Sequence, residues 1–121
     1  MQKYKAEYYK RPNGKEPARE WYKSRDGSIR QNILKRLEVL KEEGLNLVKS
    51  HALYPIYGGD KVFYEFRNST LNWRIGVYYD ENINTFILLH GWSHDENHEI
   101  EHQKELDKAR NLLHEYLTGR I

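Results

Sequence analysis

The chain has 121 residues, which suits one domain, and a net charge of +2. Leu, Ile, Val and Phe make up 28 residues, and ten Tyr and three Trp add large side chains that can be buried, so the composition excludes an intrinsically disordered chain. The lack of Cys excludes disulfides and thiol catalysis, and no apolar run approaches the roughly 20 residues of a membrane-spanning helix. The opening residues, MQKYKAEYYK, lack the apolar core of a secretory signal, so we expect one soluble, cytoplasmic domain over residues 1–121.

The charges are distributed unevenly along the chain. Residues 1–74 contain 16 Lys and Arg against 9 Asp and Glu, whereas residues 75–121 contain 4 against 9. This asymmetry favours a protein that binds a polyanion or another partner of complementary charge. The alternative is that the two halves neutralise each other in the folded protein.

The first third of the chain predicts a strand followed by two helices. Residues 4–8 alternate Tyr and Ala with charged side chains, as in a half-buried strand. A helical pattern over about 15–24 contains Pro17 near its start, where a missing N–H costs little. Ser28 can cap a second helix that ends at Gly44. The apolar positions of this helix recur at spacings of four, four and three: Ile29, Ile33, Leu37 and Leu40.

The remainder of the chain predicts three strands and a last helix. Residues 45–60 contain Pro55 and a Gly pair, which indicates an irregular segment. Beyond them the apolar period shortens from 3.6 to 2, and short polar turns separate three strand candidates, 61–67, 72–79 and 84–90. The final segment, about 96–118, carries a helical apolar stripe. The order β-α-α-β-β-β-α predicts an α+β fold in which helices pack on one side of a small antiparallel sheet and the other side can face solvent.

Three side chains of these strands can carry phosphodiester chemistry if register and twist bring them to one face: Arg67, Arg74 and His90. Guanidinium groups bind phosphate through paired donors and stabilise charge that develops in a transition state, and imidazole is a suitable acid or base near neutral pH. With RNA the 2′-OH can serve as the nucleophile, so no metal is required. The alternative is that Arg67 pairs with Glu65 or another carboxylate and that His90 simply ends a strand.

A second group consists of histidines that recur at a spacing of four, which places them on one face of a helix: His94, His98 and His102. This spacing can ligate zinc or nickel, with Glu101 or Glu105 near. The segment Asp95-Glu96-Asn97 is typical of a helix start, however, so we expect His94 to precede the helix and the other two to lie on a solvated, charged face. We therefore predict no metal site and no cofactor.

Four motifs span nearly the whole chain: YKRPNGKEP at 9–17, VFYEFR at 62–67, WRI at 73–75 and FILLHGW at 86–92. In this order, and with the predicted elements, they resemble the RelE/ParE superfamily of toxins, and within it the HigB-like, phage-derived branch. The counterparts in that family are an opening strand with a Glu-Pro helix start, an aromatic-Glu-Leu-Arg strand, an aromatic-Arg-Val/Ile strand and a Val-Leu-Leu-His-Gly/His-Phe segment.

The resemblance implies the RelE-like fold and the toxin of a type II toxin–antitoxin system. Such a toxin is a metal-independent endoribonuclease that cleaves mRNA, usually on the ribosome, and a cognate antitoxin, expected to be a helix-turn-helix protein, neutralises it. By this resemblance Arg67 and Arg74 would bind the scissile phosphate, and His90, with His94 second, would act as acid or base. The residues expected to contact RNA are Lys61, Tyr64, Tyr78 and Trp92.

Two departures from the family pattern leave an alternative open. Residues 93–97, SHDEN, stand where the family is basic, and Tyr57 and Lys61 are the nearest equivalents of a Lys that often precedes the Glu-x-Arg strand. The loss of cations weakens the salt-dependent affinity for RNA. The alternative is a protein of the same fold without nuclease activity, which acts on another target such as a gyrase or binds its antitoxin alone.

Overall fold

The computed structural model describes residues 2–93 and 99–119. The elements follow in chain order as β1 (Lys5–Tyr8), α1 (Pro17–Lys23), α2 (Gly27–Glu43), a short 3-10 helix (Gly44–Val48), β2 (Leu53–Ile56), β3 (Phe63–Asn68), β4 (Trp73–Asp80), β5 (Thr85–Ser93) and α3 (Glu99–Thr118). Over these residues the fold is therefore α+β, with three α-helices and one five-stranded sheet. Within the described residues, no helix combines the length and apolarity that a membrane crossing requires.

The sheet is mixed, which corrects the prediction of an antiparallel one. Its strand order is β1-β5-β4-β3-β2, and β1 pairs with β5 in parallel, whereas the other neighbours are antiparallel. Sequence periodicity indicates which segments are strands but not which distant strand each one pairs with. The strand β2 lies in the segment predicted to be irregular, because Pro55 suggested a break there. At the edge of a sheet a proline is tolerated, since the N–H that it lacks need not join the ladder.

Helices cover both faces of the sheet, so the prediction of helices on one side is wrong. Buried residues of α2 pack with strand residues of one face, which include Phe66, Ile75, Val77 and Leu88. Buried residues of α3 pack with strand residues of the other face, which include Phe63, Ile87, Leu89 and Trp92. The strand β5 is apolar at successive positions, Ile87, Leu88 and Leu89, because it is buried on both faces.

The second helix begins at Gly27, so its N-cap lies two residues before the predicted cap Ser28. Asp26, not Ser28, occupies the N-cap, where its carboxylate accepts a hydrogen bond from the backbone N–H of Ile29 at 3.0 Å. The Ser28 hydroxyl donates to the same carboxylate at 2.7 Å. These hydrogen bonds hold the pKa of Asp26 below its usual value. Gly44 ends the helix with a positive φ of 55°, as predicted.

Candidate functional site

The register of three neighbouring strands brings three of the four predicted catalytic side chains to one face of the sheet. Arg67 of β3 lies opposite Arg74 of β4, and Arg74 lies opposite Trp92 of β5. In the adjacent row, Gly76 of β4 lies opposite His90 of β5. Because directly opposed residues point to the same side of a sheet, Arg67, Arg74 and His90 all project from the face that α3 covers. Sequence alone left this juxtaposition open.

A buried carboxylate, Glu65, lies at the centre of this face. It is 2% exposed, and its Oε1 lies 2.6 Å from the Nε of Arg74 and 4.0 Å from Nη1 of Arg67. Its Oε2 lies 3.4 Å from Nε2 of His102, on α3. The expected alternative of an Arg67–Glu65 pair is therefore realised only at long range, and Arg74 is the main partner of Glu65. The signal for this role was the position of Glu65 inside an otherwise apolar strand, two residues before Arg67.

The two arginines differ in their access to solvent. The side chain of Arg67 is 27% exposed; its Nε donates to the His51 carbonyl at 3.1 Å, and its guanidinium lies 4.9 Å from the centre of the Tyr54 ring. Arg74 is 7% exposed, and its Nη1 donates to the carbonyl of Trp73 at 3.2 Å. Burial lowers the pKa of Arg74, and the Glu65 carboxylate opposes this shift. Arg67 is therefore the more accessible of the two guanidinium groups.

His90 lies on the other side of α3 from Arg67. Its Nε2 is 2.9 Å from the Glu105 carboxylate, and its ring stacks on Trp92 with 4.9 Å between centres. It lines a cleft of about 380 Å³ together with Lys108, whereas Arg67 lines a separate groove of about 530 Å³. The sheet thus brings His90 and Arg67 to one face, but α3 lies between the cleft that His90 lines and the groove that Arg67 lines.

We expect His90 to be neutral at pH 7 and to make stability depend on pH. Burial lowers its pKa from 6.5 more than the Glu105 contact raises it. As the pH falls below about 6.5, the unfolded chain takes up this proton before the folded protein does, so acidification reduces the free energy of unfolding. NMR titration of the ring protons measures the midpoint, and urea unfolding of His90→Asn shows a weaker pH dependence there. A midpoint at or above 6.5 would contradict this expectation, because it would mean that the Glu105 contact raises the pKa of His90 more than burial lowers it.

The four residues expected to contact RNA do not share one surface. Lys61 is exposed in the loop before β3. Tyr64 points to the opposite face from Arg67 and packs against the α2 side of the sheet. Tyr78 lies beneath α3 with its ring 6.0 Å from that of Tyr116, and Trp92 is buried between His90 and His102. The structure therefore gives Trp92 a packing position, which the aromatic pattern of the strand could not distinguish from a base-stacking one.

The remaining predicted histidines are only partly covered by the structure. His94 and His98 fall outside the described residues. His102 is largely buried and contacts Glu65, so it does not lie on a solvated face as expected. Over residues 2–93 and 99–119, no group of three or more His, Cys, Asp or Glu residues is arranged to hold a metal ion.

Comparison with known proteins identifies no relative of this chain: no protein-family model matches it, and no curated protein matches it.

Proposed function

We propose that the chain is a RelE-like toxin of a type II toxin–antitoxin system that cleaves mRNA as a metal-independent endoribonuclease, in association with the ribosome. The observation that carries this proposal is the placement of Arg67, Arg74 and His90 on one face, within two adjacent rows of three strands. Two guanidinium groups and one imidazole on a single face form a set suited to phosphodiester cleavage. The motifs that resemble the RelE/ParE superfamily supply the same three residues.

The proposed reaction uses the RNA's own 2′-hydroxyl. Neutral His90 accepts the 2′-OH proton, the 2′-oxygen forms a bond to phosphorus, and the bond to the 5′-oxygen breaks. The leaving 5′-oxygen takes up a proton from the imidazolium or from water, which leaves a 2′,3′-cyclic phosphate and a 5′-hydroxyl. Arg67 and Arg74 offset the charge that develops on the phosphoryl oxygens. In this proposal His94 is the second candidate for proton transfer.

The described conformation is closed over two of the three groups. Arg74 and His90 are each 7% exposed, and the carboxylates of Glu65 and Glu105 occupy the positions that phosphate oxygens would take beside them. The start of α3 contributes both His102 and Glu105 to these contacts. Cleavage through Arg74 and His90 therefore requires the first turns of α3, which carry His102 and Glu105, to move away from the sheet, and it requires the phosphate to displace Glu65 of β3 from Arg74.

Expression of the chain without an antitoxin tests the proposal in cells. We expect growth arrest with fragmented mRNA for the wild type, and growth with intact mRNA for Arg67→Ala. A helix-turn-helix antitoxin encoded beside the chain would restore growth when it is co-expressed. If wild type and Arg67→Ala leave growth and mRNA equally unaffected, the proposed nuclease is wrong.

A second candidate function is a toxin or binding protein of the same fold that has no nuclease activity. The internal pairing of Arg74 with Glu65 and of His90 with Glu105 favours it, since both groups are satisfied without a substrate. This candidate predicts growth arrest with intact mRNA, through another target such as a gyrase, or no effect beyond binding to the antitoxin.

A further inference from the structure

A groove of about 530 Å³ lies between the β2–β3 edge of the sheet and α3. We call it the edge groove; the residues used here are Tyr54, Tyr57, Arg67 and Arg110. It combines two exposed aromatic rings with an ordered cation, and neither Tyr54 nor Tyr57 was among the residues predicted to contact RNA. The aromatic residues that were predicted lie elsewhere or are buried.

The cation of the edge groove is held in place but keeps its terminal nitrogens available. Arg67 is anchored through Nε to the His51 carbonyl, and its guanidinium lies 4.9 Å from the centre of the Tyr54 ring. Among the residues that the structure describes, no hydrogen bond occupies its two terminal nitrogens, and the nearest carboxylate, Glu65, lies 4.0 Å from Nη1. A guanidinium that is already ordered loses less conformational entropy when its paired donors bind a phosphate.

The aromatic platform is presented by a loop that another arginine fixes. Tyr57 is 69% exposed and Tyr54 is 46% exposed, although tyrosine rings usually gain stability from burial. Nη2 of Arg110, on α3, donates to the carbonyl of Tyr57 at 3.0 Å, and its Nη1 donates to Asp107 at 2.9 Å. Arg110 therefore positions the loop, and the Tyr57 ring remains open to a planar ligand.

We propose that the edge groove binds single-stranded RNA, with a base stacked on Tyr57 and the adjacent phosphate on Arg67. Stacking on tyrosine accepts any base, and an arginine beside it contacts the backbone, which is the usual design of sites for single strands. This inference rests on the proposed function, since it gives the substrate strand a path to the sheet face that carries Arg74. It assigns Tyr57 to substrate binding and gives it no part in the chemical step.

Binding of a fluorescent 2′-O-methyl oligoribonucleotide tests the groove without cleavage, because the nucleophile is blocked. We expect Tyr57→Ala to weaken binding about tenfold, and Tyr57→Phe, which keeps the ring, to bind as the wild type does. Arg67→Gln should reduce the slope of log affinity against log salt by about 0.7, as expected for the loss of one contact to a single-strand phosphate. Two control variants on α1 and α2 should leave binding unchanged: Arg19→Gln and Leu34→Ala, both exposed.

The outcomes separate this inference from the nuclease itself. If the wild type cleaves RNA but Tyr57→Ala binds the oligonucleotide normally, the groove proposal is overturned while the nuclease stands. If a nucleoside monophosphate binds as tightly as the oligonucleotide, the proposal of a site for an RNA strand is overturned, and the groove is a site for a free nucleotide. In a cleavage assay, Tyr57→Ala should raise KM and leave kcat unchanged; a fall in kcat alone contradicts a binding role.

Discussion

In the proposed nuclease, Arg67→Gln is expected to reduce the rate of RNA cleavage by about 100-fold or more. Removing one preorganised donor that faces developing charge typically costs a factor of about 10² to 10³ in kcat. Arg67 is the most exposed of the three predicted catalytic groups that the structure describes, and its distance of 4.0 Å from Glu65 leaves it weakly coupled to the buried pair. The melting temperature and circular dichroism of the variant should therefore stay close to those of the wild type.

Two further variants test whether Arg67 acts through its paired donors or only through its charge. Arg67→Lys keeps the charge but loses the fork of paired donors, so its rate should fall between those of wild type and Arg67→Gln. Arg19→Gln removes an exposed arginine from α1, on the other face of the sheet, and should cleave at the wild-type rate. If Arg67→Gln and Arg19→Gln reduce the cleavage rate equally, the loss reflects the total charge of the protein and not a contact between Arg67 and phosphate.

Breaking the buried pair between Glu65 and Arg74 is expected to have the largest effect on stability. Glu65→Leu leaves the Arg74 guanidinium buried without its carboxylate, and Arg74→Met leaves the carboxylate without its main cation. Loss of one partner of a buried ion pair costs about 3–5 kcal/mol, a large share of the stability of a small domain. Urea unfolding of each variant measures the change in the free energy of unfolding.

The double variant Glu65→Leu/Arg74→Met keeps this prediction testable even if a single variant fails to fold. Replacing both charges by apolar side chains removes the unpaired buried group, so the double variant should be more stable than either single variant. Glu16→Gln, which breaks an exposed pair with Arg19, should leave the free energy of unfolding nearly unchanged. Losses that simply add in the double variant would contradict coupling between Glu65 and Arg74.

The sequence predicted most of the elements but not the arrangement of the sheet. The helices and the three strands before the last helix follow from apolar periods of 3.6 and 2, and the structure places strands at Phe63–Asn68, Trp73–Asp80 and Thr85–Ser93. The parallel pairing of β1 with β5 was missed because it joins two strands that lie far apart in the sequence. The position of α3 was missed because an apolar stripe shows that a helix is buried but not which face of a sheet buries it.

The residues of the candidate site were predicted from the sequence, but their arrangement was not, because it depends on how the strands pair. Alternation within each strand could not relate Arg67, Arg74 and His90 to one another, because a shift of one residue in register moves a whole strand's side chains to the other face. The structure supplies that register and brings all three to one face. Glu65 pairs with Arg74 through the register of β3 and β4, and Glu105 reaches His90 only because α3 packs on this face, which no local pattern encodes.

The most direct test of the proposed nuclease is cleavage of mRNA on programmed ribosomes by the purified protein in the presence of EDTA. We expect cleavage to persist with the chelator, to yield 2′,3′-cyclic phosphate and 5′-hydroxyl ends, and to be lost in Arg67→Gln. Intact mRNA with the wild-type protein, or equal cleavage by wild type and Arg67→Gln, would contradict the assignment of this sheet face to RNA cleavage.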